Sequence, residues 1–441
     1  MNKQKKETLF FNNVSDLIKW VESQKRFSKK TSLKNMEYFA KIFGNPEKKI
    51  TTIHVTGTNG KGSTVSYLKN IYLKAGYNVA TFTSPYIVCF NERITYNGQN
   101  ISDENLLKYG NLIISKYPVI LEELKELPTF FEFITLLALL YFSDIKDLDL
   151  AIMEVGIGGR LDSTNIITPL LGVITNVTFD HMEQLGSTLD AITKEKLGII
   201  KNNIPLITGS KNPLLISQME SHCKNVNSNF LKVDYERLKI KKMGLDQSTF
   251  SYKGYDNLVI QMTGLHQIEN ACLTIEVVEF CNNLFEKRKS NLHVSNEILY
   301  EGLISSMWPG RLELISKEPL IYIDGGHNID CIERVCEFVD TLNYNHKRVV
   351  VAISNDKDKD AMIKRLDKSF DELIFTHYTY SRSATSDDLY LLSNKDNKLI
   401  IDSIDDTINY CFNNKSDLTL FIGSLYLISE IRPKLFNYKK N

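Results

Sequence analysis

The stretch Val55-Thr56-Gly57-Thr58-Asn59-Gly60-Lys61-Gly62-Ser63 joins a β-branched run, Lys49–Val55, to a helical pattern over Thr64–Ala75. A glycine-rich turn between a strand and a helix N-terminus is the setting of a phosphate-binding loop. Glycines let main-chain N–H groups converge on an anion, and the helix dipole favours negative charge there. Lys61 would add a positive charge for a terminal phosphate, and the Ser63 hydroxyl could complete a Mg²⁺ shell. The sequence therefore predicts a nucleotide-binding α/β fold.

This loop departs from the common G-x-x-x-x-G-K-[ST] pattern. Only two residues separate Gly57 from Gly60, and Gly62 is inserted between Lys61 and Ser63. The alternative interpretation is a glycine-rich turn with an incidental lysine. The strand before the turn and the helix after it favour nucleotide binding instead.

The composition is that of a large globular protein. Its 441 residues exceed one ordinary domain, so we expect two. Because 53 Lys and Arg balance 53 Asp and Glu, a general nucleic-acid or membrane-surface binder is disfavoured. The seven cysteines form no C-x-x-C pair, which favours reduced thiols over a zinc site. The charged N-terminus lacks the apolar core of a secretory signal, so we expect a cytoplasmic protein, with an organelle left open.

Two series of β-branched runs alternate with helical segments. The first series predicts parallel strands of a doubly wound sheet. Alternating pieces over Tyr252–Thr263 favour a small antiparallel meander. The longest apolar run, Phe130–Phe142, is too short to span a bilayer and is expected to form a buried helix. The runs of the first series are Ile50–Val55, Asn78–Thr83, Leu150–Val155 and Leu170–Asn176.

The turn-forming segment Trp308-Pro309-Gly310 precedes the second series of β-branched runs, which lies between Leu320 and Ile422. We therefore predict an N-terminal domain over 1–306 and a C-terminal domain over 307–441. The predicted fold class is α/β. A P-loop parallel-sheet ATPase domain with a small extra β-meander comes first, and a smaller Rossmann-like α/β domain follows.

Polar side chains stand at the carboxyl ends of the predicted strands, where open α/β sheets bind their ligands. Glu154 ends one strand and can complete a metal shell with Ser63. His181 lies just beyond another strand and is a candidate metal ligand. By residue type alone, the triplet Lys194-Glu195-Lys196 is most typical of a solvated helix face.

The second half of the chain carries two further segments of this kind. Arg311 follows Trp308-Pro309-Gly310 at the predicted domain junction, where its guanidinium could reach a phosphate. Asp324 begins the segment Asp324-Gly325-Gly326-His327-Asn328 at a strand end. Its carboxylate could accept hydrogen bonds from a ribose, and the glycines permit close approach of a ligand.

These segments belong to a longer ordered set. Together they resemble the folylpolyglutamate synthase and dihydrofolate synthase family, the folate branch of the Mur ligase superfamily, over nearly the whole chain. Each block alone is modest evidence, but ten blocks in order are strong evidence. The blocks are Thr56–Ser63, Thr83–Ile94, Thr129–Phe133, Glu154–Asn165, Asp180–Gly186, Glu195–Ile199, Gly264–Ala271, Trp308–Glu313, Asp324–Asn328 and Gly423–Tyr426.

The resemblance implies an ATP-dependent ligase that adds L-glutamate to a folate or dihydropteroate carboxylate. The reaction would pass through an acyl phosphate and release ADP and phosphate. The implied partners are these small molecules, with no nucleic acid and no membrane, and the chain is expected to be a monomer. A bifunctional enzyme is favoured, although dihydropteroate alone or reduced folates alone stay open.

The resemblance also implies residue roles. Lys61, Lys196 and His327 would be catalytic, with Lys196 carbamylated to help hold the second of two Mg²⁺ ions. His327 is a candidate for deprotonating the glutamate ammonium. The implied nucleotide contacts are Gly57, Thr58, Asn59, Gly60, Lys61, Gly62, Ser63, Asn270, Arg311 and Asp324; the metal ligands are Ser63, Glu154, His181 and Lys196; the substrate contacts are Ser84, Pro85, Tyr86, Arg93, Phe131, Asp162 and Ser424.

The chain departs from the family pattern in places. The family usually has histidine where Tyr86 stands, so the folate loop is expected to differ, and Ser354-Asn355 is also unusual. Two alternative functions are less consistent with the sequence. A Mur-type ligase for a UDP-linked cell-wall precursor is disfavoured by the T-F-F-E-F block. A non-catalytic nucleotide-binding scaffold is disfavoured because the expected functional residues are all present, namely Lys61, Glu154, His181 and Lys196.

Overall fold

The computed structural model of the chain describes residues 9–25, 31–288 and 293–438, with side chains of 285–288 left out. Helices and strands alternate along most of this range. The helices are α1 (Val14–Ser23), α2 (Lys34–Ile42), α3 (Lys61–Lys74), α4 (Asp103–Ser115), α5 (Tyr117–Leu124), α6 (Phe130–Asp144), α7 (Met182–Leu185), α8 (Leu189–Leu197), α9 (Pro213–Asn225), α10 (Leu265–Arg288), α11 (Asn296–Ile304), α12 (Ile329–Asp340), α13 (Lys359–Ser369), α14 (Ser386–Leu392), α15 (Ile404–Asn413) and α16 (Leu425–Tyr438).

The strands form three sheets. The strands are β1 (Thr52–Thr56), β2 (Val79–Phe82), β3 (Ile94–Tyr96), β4 (Gln99–Asn100), β5 (Leu150–Glu154), β6 (Leu171–Ile174), β7 (Leu206–Thr208), β8 (Phe230–Lys232), β9 (Leu238–Met243), β10 (Ser248–Tyr252), β11 (Tyr255–Ile260), β12 (Glu313–Lys317), β13 (Leu320–Asp324), β14 (Lys347–Val351), β15 (Glu372–Phe375), β16 (Lys398–Ile400) and β17 (Leu418–Ile422).

The first sheet has eight strands in the order β4-β3-β2-β5-β1-β6-β7-β8. Its strands are parallel except for the antiparallel pairs that β3 makes with β2 and β4. Strand β1 pairs with β5 on one side and β6 on the other, and every residue of β1 is buried. The strand order reverses at this point, which is where doubly wound sheets open a crevice for ligands. The loop that follows β1 is therefore placed at the crevice.

The second half of the chain contributes a six-stranded sheet in the order β12-β13-β17-β14-β15-β16, parallel apart from β12. A three-stranded antiparallel sheet, β11-β10-β9, is separate from it. This architecture confirms the predicted fold class. The meander is larger than predicted: it begins at Leu238, fourteen residues before Tyr252, because β9 is mostly exposed and its lysine-rich sequence lacks a regular apolar face.

The chain divides into two compact units. The first comprises Met1–Val233 and Leu273–Gly302, and the second comprises Asp234–Cys272 and Leu303–Asn441. The meander thus groups with the C-terminal residues. The predicted domain division at 306/307 stays a prediction.

Helix α6 packs within a large apolar cluster of the first unit. Thr129 caps it, because its hydroxyl accepts from the Glu132 N–H while the Glu132 carboxylate accepts from the Thr129 N–H at 2.8 Å. Eleven of the fifteen residues in the helix are buried, on all sides, so it packs in the core, as the sequence predicted. Within the described part of the chain, no helix has the length and apolar character needed to cross a membrane.

A buried ion pair lies in the six-stranded sheet between β14 and β15. Arg348 Nε donates to Glu372 Oε2 at 2.8 Å, and Arg348 Nη1 donates to the Asn414 carbonyl at 2.8 Å. The Tyr410 hydroxyl donates to the other Glu372 oxygen at 2.9 Å. Arg348 is only 1% exposed and Glu372 3%, so each charge depends on the other for solvation.

Removing one partner of this pair is expected to destabilise the protein strongly. Glu372→Leu should lower the free energy of unfolding by about 3–5 kcal/mol, since Arg348 would stay charged and buried. The double variant Arg348→Met/Glu372→Leu should recover most of that loss. Asp360→Ala, in the exposed pair Asp360–Lys364, serves as control and should cost less than about 1 kcal/mol. Chemical denaturation measures all three, and equal losses in the single and double variants would contradict the expectation.

Candidate active site

The glycine-rich loop after β1 adopts a conformation that only glycine permits at two of its positions. Gly57 has φ +153°, and a Cβ there would lie 1.8 Å from Thr175 Oγ1. Gly60 adopts the left-handed conformation, φ 81°, directly before α3 begins at Lys61. Only glycine permits both the contact at Gly57 and the turn into the helix. The first N–H groups of α3 have no acceptor within the helix, which makes them available to a phosphate.

The segment that follows β6 supports this loop. The Asn176 carbonyl accepts from the Thr58 N–H at 3.0 Å, and Asn176 Oδ1 accepts from the Asn59 N–H at 2.9 Å. Thr175 Oγ1 donates to the Asn59 carbonyl at 2.5 Å. The Lys61 ammonium folds back over the loop and donates to the carbonyls of Gly57 at 3.0 Å and Thr58 at 3.1 Å. Hydrogen bonds thus hold the loop backbone in place, and the Lys61 ammonium lies against it.

Lys196 is buried near the end of α8. Its side chain is 2% exposed, so the interpretation of Lys196 as part of a solvated helix face is wrong. That interpretation does describe Lys194, which is exposed and pairs with Asp190 at 2.8 Å. Burial and the nearby Lys61 ammonium hold the pKa of Lys196 well below its usual value, against the opposing effect of Asp180. The structure thereby brings Lys61, Asp180 and Lys196 together.

The loop after β5 packs against α8. A Cβ on Gly159 would lie 2.9 Å from the Glu195 carbonyl and 3.0 Å from the Lys196 carbonyl, so glycine is required for this contact. Asp162 organises the loop: Oδ2 accepts from the N–H groups of Gly156 and Ile157, both at 3.1 Å. The Asp162 carboxylate, predicted to contact substrate, thus holds main-chain groups of its own loop.

Glu154 is the last residue of β5 and is 3% exposed. Its Oε2 accepts from the Ser84 N–H at 3.0 Å, which connects a predicted metal ligand to the predicted substrate loop. His181 has φ 50° and directly precedes α7, with its Nε2 3.9 Å from Asp180 Oδ2. Asp180 is not among the predicted site residues, although its position after β6, beside His181, is a signal that could have indicated it.

The donor chemistry of this region fits Mg²⁺ in part. The Glu154 carboxylate and the Ser63 hydroxyl are hard oxygen donors of the kind that Mg²⁺ prefers, with phosphate and water completing the shell. The His181 imidazole is a softer donor, more typical of transition metals. Among the described residues, no group of three or more His, Cys, Asp or Glu side chains forms a protein-only metal site. A shell completed by substrate is therefore the arrangement that the donors favour.

The predicted substrate loop carries an aromatic cluster around Arg93. The Arg93 guanidinium lies 5.0 Å from the ring centroid of Tyr86, 5.6 Å from that of Phe90 and 5.3 Å from that of Phe130. The Tyr86 hydroxyl donates to Glu22 Oε1 on α1 at 2.8 Å. Tyr86 therefore anchors this loop to the first helix.

Two further predicted substrate residues flank this cluster. Pro85 lies within the loop between Ser84 and Tyr86, and the Phe131 ring packs 5.8 Å from that of Phe82. The Glu92 carboxylate fixes the loop backbone, since its Oε2 accepts from the Ile87 N–H at 2.9 Å.

In the second unit, Asp324 ends β13 and is buried. Its carboxylate accepts from the Leu312 N–H at 2.8 Å and the Gly326 N–H at 2.6 Å. Burial raises the pKa of Asp324, although Arg311 and these N–H groups counter the shift. Arg311 Nη1 donates to the Gly310 carbonyl at 3.3 Å, and His327 Nδ1 lies 3.0 Å from the Gly325 carbonyl. The structure thus gathers Arg311, Asp324 and His327 around one strand end.

Asn270 and Ser424 complete the predicted residues of the second unit. Asn270 is buried in the first turns of α10, where its Nδ2 donates to Gln267 Oε1 at 3.2 Å. Ser424 follows β17, and its hydroxyl accepts from the Tyr426 N–H at 3.2 Å. The nucleotide, metal and substrate roles of all these residues stay predictions.

Comparison with known proteins identifies the class. Residues 55–278 match the Mur ligase middle domain, and residues 310–425 match the Mur ligase glutamate ligase domain. The chain is 37% identical to the dihydrofolate synthase/folylpolyglutamate synthase of Bacillus subtilis (strain 168), over 96% of the chain and 100% of that protein. It is 32% identical to the folylpolyglutamate synthase (FPGS) of Lacticaseibacillus casei, over 97% and 100%.

Solved structures agree with this class. The apo form of L. casei FPGS aligns with a TM-score of 0.83 at 30% identity, covering 96% of this chain and 99% of that one. An FPGS-AMPPCP-folate complex aligns with a TM-score of 0.81 at 30% identity, with coverage of 96% and 99%. Both the fold and the sequence are therefore those of a Mur-type ligase. The chain belongs to the folylpolyglutamate synthase and dihydrofolate synthase family, which confirms the resemblance and the ligase class predicted from sequence.

Proposed function

We propose that this protein is an ATP-dependent ligase that adds L-glutamate to the carboxylate of a folate or of dihydropteroate, releasing ADP and phosphate. The observation that carries the proposal is the buried Lys196 beside Lys61 at the glycine-rich loop, in a chain that also has a glutamate ligase domain. Relatives named for both activities, and an FPGS complex with AMPPCP and folate, support it. We propose both activities for this chain.

The chemistry requires activation of a carboxylate. Because O⁻ is a poor leaving group, the γ-phosphoryl group of ATP is first transferred to the acceptor carboxylate, giving an acyl phosphate and ADP. The glutamate amine then attacks the acyl carbon, the C–O bond to phosphate breaks, and phosphate leaves. Phosphoryl transfer depends mainly on positioning and charge neutralisation. Lys61 and the N–H groups at the start of α3 would provide both.

We propose that Lys196 is carbamylated in the active enzyme. Carbamylation joins the neutral amine nitrogen to carbon dioxide and releases one proton, so the neutral amine must be populated. The lowered pKa of Lys196 favours that form. The resulting anion would lie near the Lys61 ammonium, which compensates its charge. This anion offers oxygen donors that a plain lysine lacks.

Two Mg²⁺ sites are proposed here, held by Ser63, Glu154, His181 and the modified Lys196. When bound, Mg²⁺ would neutralise charge on the transferring phosphoryl group.

In the second unit, we propose that Asn270 and Arg311 bind nucleotide phosphates. In the same unit, Asp324 would accept hydrogen bonds from the ribose, while His327 and Ser424 would lie near the incoming glutamate. His327 stays a candidate for accepting the proton of the glutamate ammonium. A monomeric state and a cytoplasmic location stay predictions.

Direct product analysis tests the proposal. The purified protein is supplied with ATP, Mg²⁺ and glutamate, together with either dihydropteroate or tetrahydrofolate. We expect acceptor extended by one glutamyl unit, detected by mass spectrometry, with equimolar phosphate release. Omission of glutamate is the control and should give no extended product. Absence of glutamylated product from both acceptors would refute the function, and product from only one would refute bifunctionality.

A further inference from the structure

Four neighbouring strands of the six-stranded sheet carry polar side chains just beyond their carboxyl ends. Strands β13, β17, β14 and β15 are adjacent in that order. They are followed by His327, Ser424, Ser354 and Tyr378, respectively. The carboxyl edge of a parallel sheet is where α/β folds bind ligands. His327 and Ser424 already have proposed roles with glutamate, whereas Ser354 and Tyr378 have none.

Tyr378 connects these side chains. Its hydroxyl lies 2.6 Å from Ser354 Oγ, and the Ser424 hydroxyl is near enough to the phenol to counter the rise in the pKa of Tyr378 that burial causes. The residue is only 2% exposed, and its main-chain N–H donates to Ser383 Oγ at 3.3 Å. A buried phenol that bonds Ser354 and lies beside the Ser424 hydroxyl limits the orientations open to both serines.

The Tyr378 ring is also fixed by stacking. It stacks on Tyr426 with centroids 5.8 Å apart and an interplanar angle of 28°, and Tyr426 in turn stacks on Tyr380 at 4.5 Å and 21°. Tyr426 also donates its N–H to Ser424 Oγ. Ser424 is therefore constrained through two tyrosines. Burial raises the pKa of Tyr378, so its hydroxyl stays protonated at neutral pH.

We propose that Tyr378 is a positioning residue for the incoming glutamate: its hydroxyl, bonded to Ser354, and its ring, stacked on Tyr426, hold the Ser424 side chain in the orientation that receives the amino acid. The inference rests on the proposed function of the chain and on the proposed role of Ser424. Tyr378 acts through Ser424. Ser354 belongs to the pair Ser354-Asn355, which departs from the family pattern, so this contact is one that the family motifs do not predict.

Deleting the hydroxyl tests the inference. Tyr378→Phe keeps the ring and its stacking but loses the bond to Ser354 and the polar group beside Ser424. We expect the KM for glutamate to rise about five- to tenfold, the effect of one lost hydrogen bond, while the KM values for ATP and folate stay unchanged. Ser354→Ala should raise the KM for glutamate in the same way, and Ser354→Thr, which keeps a hydroxyl, should restore it toward the wild-type value.

Tyr322→Phe is the matched control. Tyr322 is a buried tyrosine of the same sheet whose hydroxyl donates to the Leu245 carbonyl at 3.5 Å, away from Ser424. Its loss should leave the KM for glutamate unchanged. An unchanged KM for glutamate in Tyr378→Phe and Ser354→Ala would overturn the inference, as would an equal rise in all three KM values with a lower Tm. Wild-type protein that forms no product would instead refute the proposed function.

Discussion

Replacement of Lys196 by methionine is expected to lower kcat about a thousandfold without lowering the stability of the fold. Loss of one charged group that acts on a developing phosphoryl charge typically costs a factor of a hundred to about a thousand in rate. A buried lysine whose pKa is held well below normal costs the folded state free energy at neutral pH, because folding disfavours the ammonium form that the unfolded chain carries. Methionine fills a similar volume without that cost, so Tm should stay equal or rise.

Steady-state kinetics and thermal unfolding of Lys196→Met measure the two effects separately. Lys194→Met is the matched control on the same helix, because Lys194 is exposed and pairs with Asp190 at 2.8 Å. It should retain wild-type kcat. Wild-type protein prepared with bicarbonate labelled with a heavy carbon isotope should show a carbamate resonance by NMR that Lys196→Met lacks. Wild-type kcat in Lys196→Met would refute the role of this lysine.

Replacement of Lys61 by methionine is the second large expected effect. The ammonium lies over the glycine-rich loop, within 3.0 Å of the Gly57 carbonyl and 3.1 Å of the Thr58 carbonyl. A phosphate bound at the start of α3 would give this cation a stronger partner than two neutral carbonyls. Its loss should lower kcat by about a hundred- to a thousandfold and weaken ATP binding. Loss of the Lys61 charge should also raise the pKa of Lys196, which lowers the neutral fraction needed for carbamylation.

Isothermal titration with a non-hydrolysable ATP analogue and steady-state kinetics provide the measurements for Lys61→Met. Lys74→Met is the control, since Lys74 is exposed at the other end of the same helix. Because α3 is retained in both variants, their Tm values should be close. Equal analogue affinity and equal kcat in Lys61→Met and the wild type would show that this lysine does not bind phosphate.

Much of the site follows from local sequence. Gly57 indicates a close contact of the backbone, and Gly60 indicates a left-handed turn. Lys61, which follows them, begins the helix. The position of Glu154 at the end of a buried strand can also be predicted locally, because short β-branched runs indicate where strands end. These features depend on neighbours within a few residues. Local patterns of residues therefore predicted the loop and the sheet that carries it.

Other features depend on residues far apart in the chain. The triplet around Lys196 has the pattern of an exposed helix face, and only the packing of α8 against the loop at Gly159 buries that lysine. Asp180 gains its importance from its proximity to Lys196. The Tyr86 hydroxyl meets Glu22 across sixty-four positions of the sequence. No local pattern contains such information.

The sequence by itself determined the α/β class, the phosphate-binding loop and the family, because glycine positions, strand patterns and ordered motifs are local properties of the chain. The tertiary structure decided which charged side chains are buried away from water. It buried Lys196 beside Lys61, used the Asp162 carboxylate to hold its own loop, and joined Tyr378 to Ser354. The physical reason is that the pKa of a side chain and the orientation of its hydrogen bonds depend on desolvation and on partners that only folding brings near.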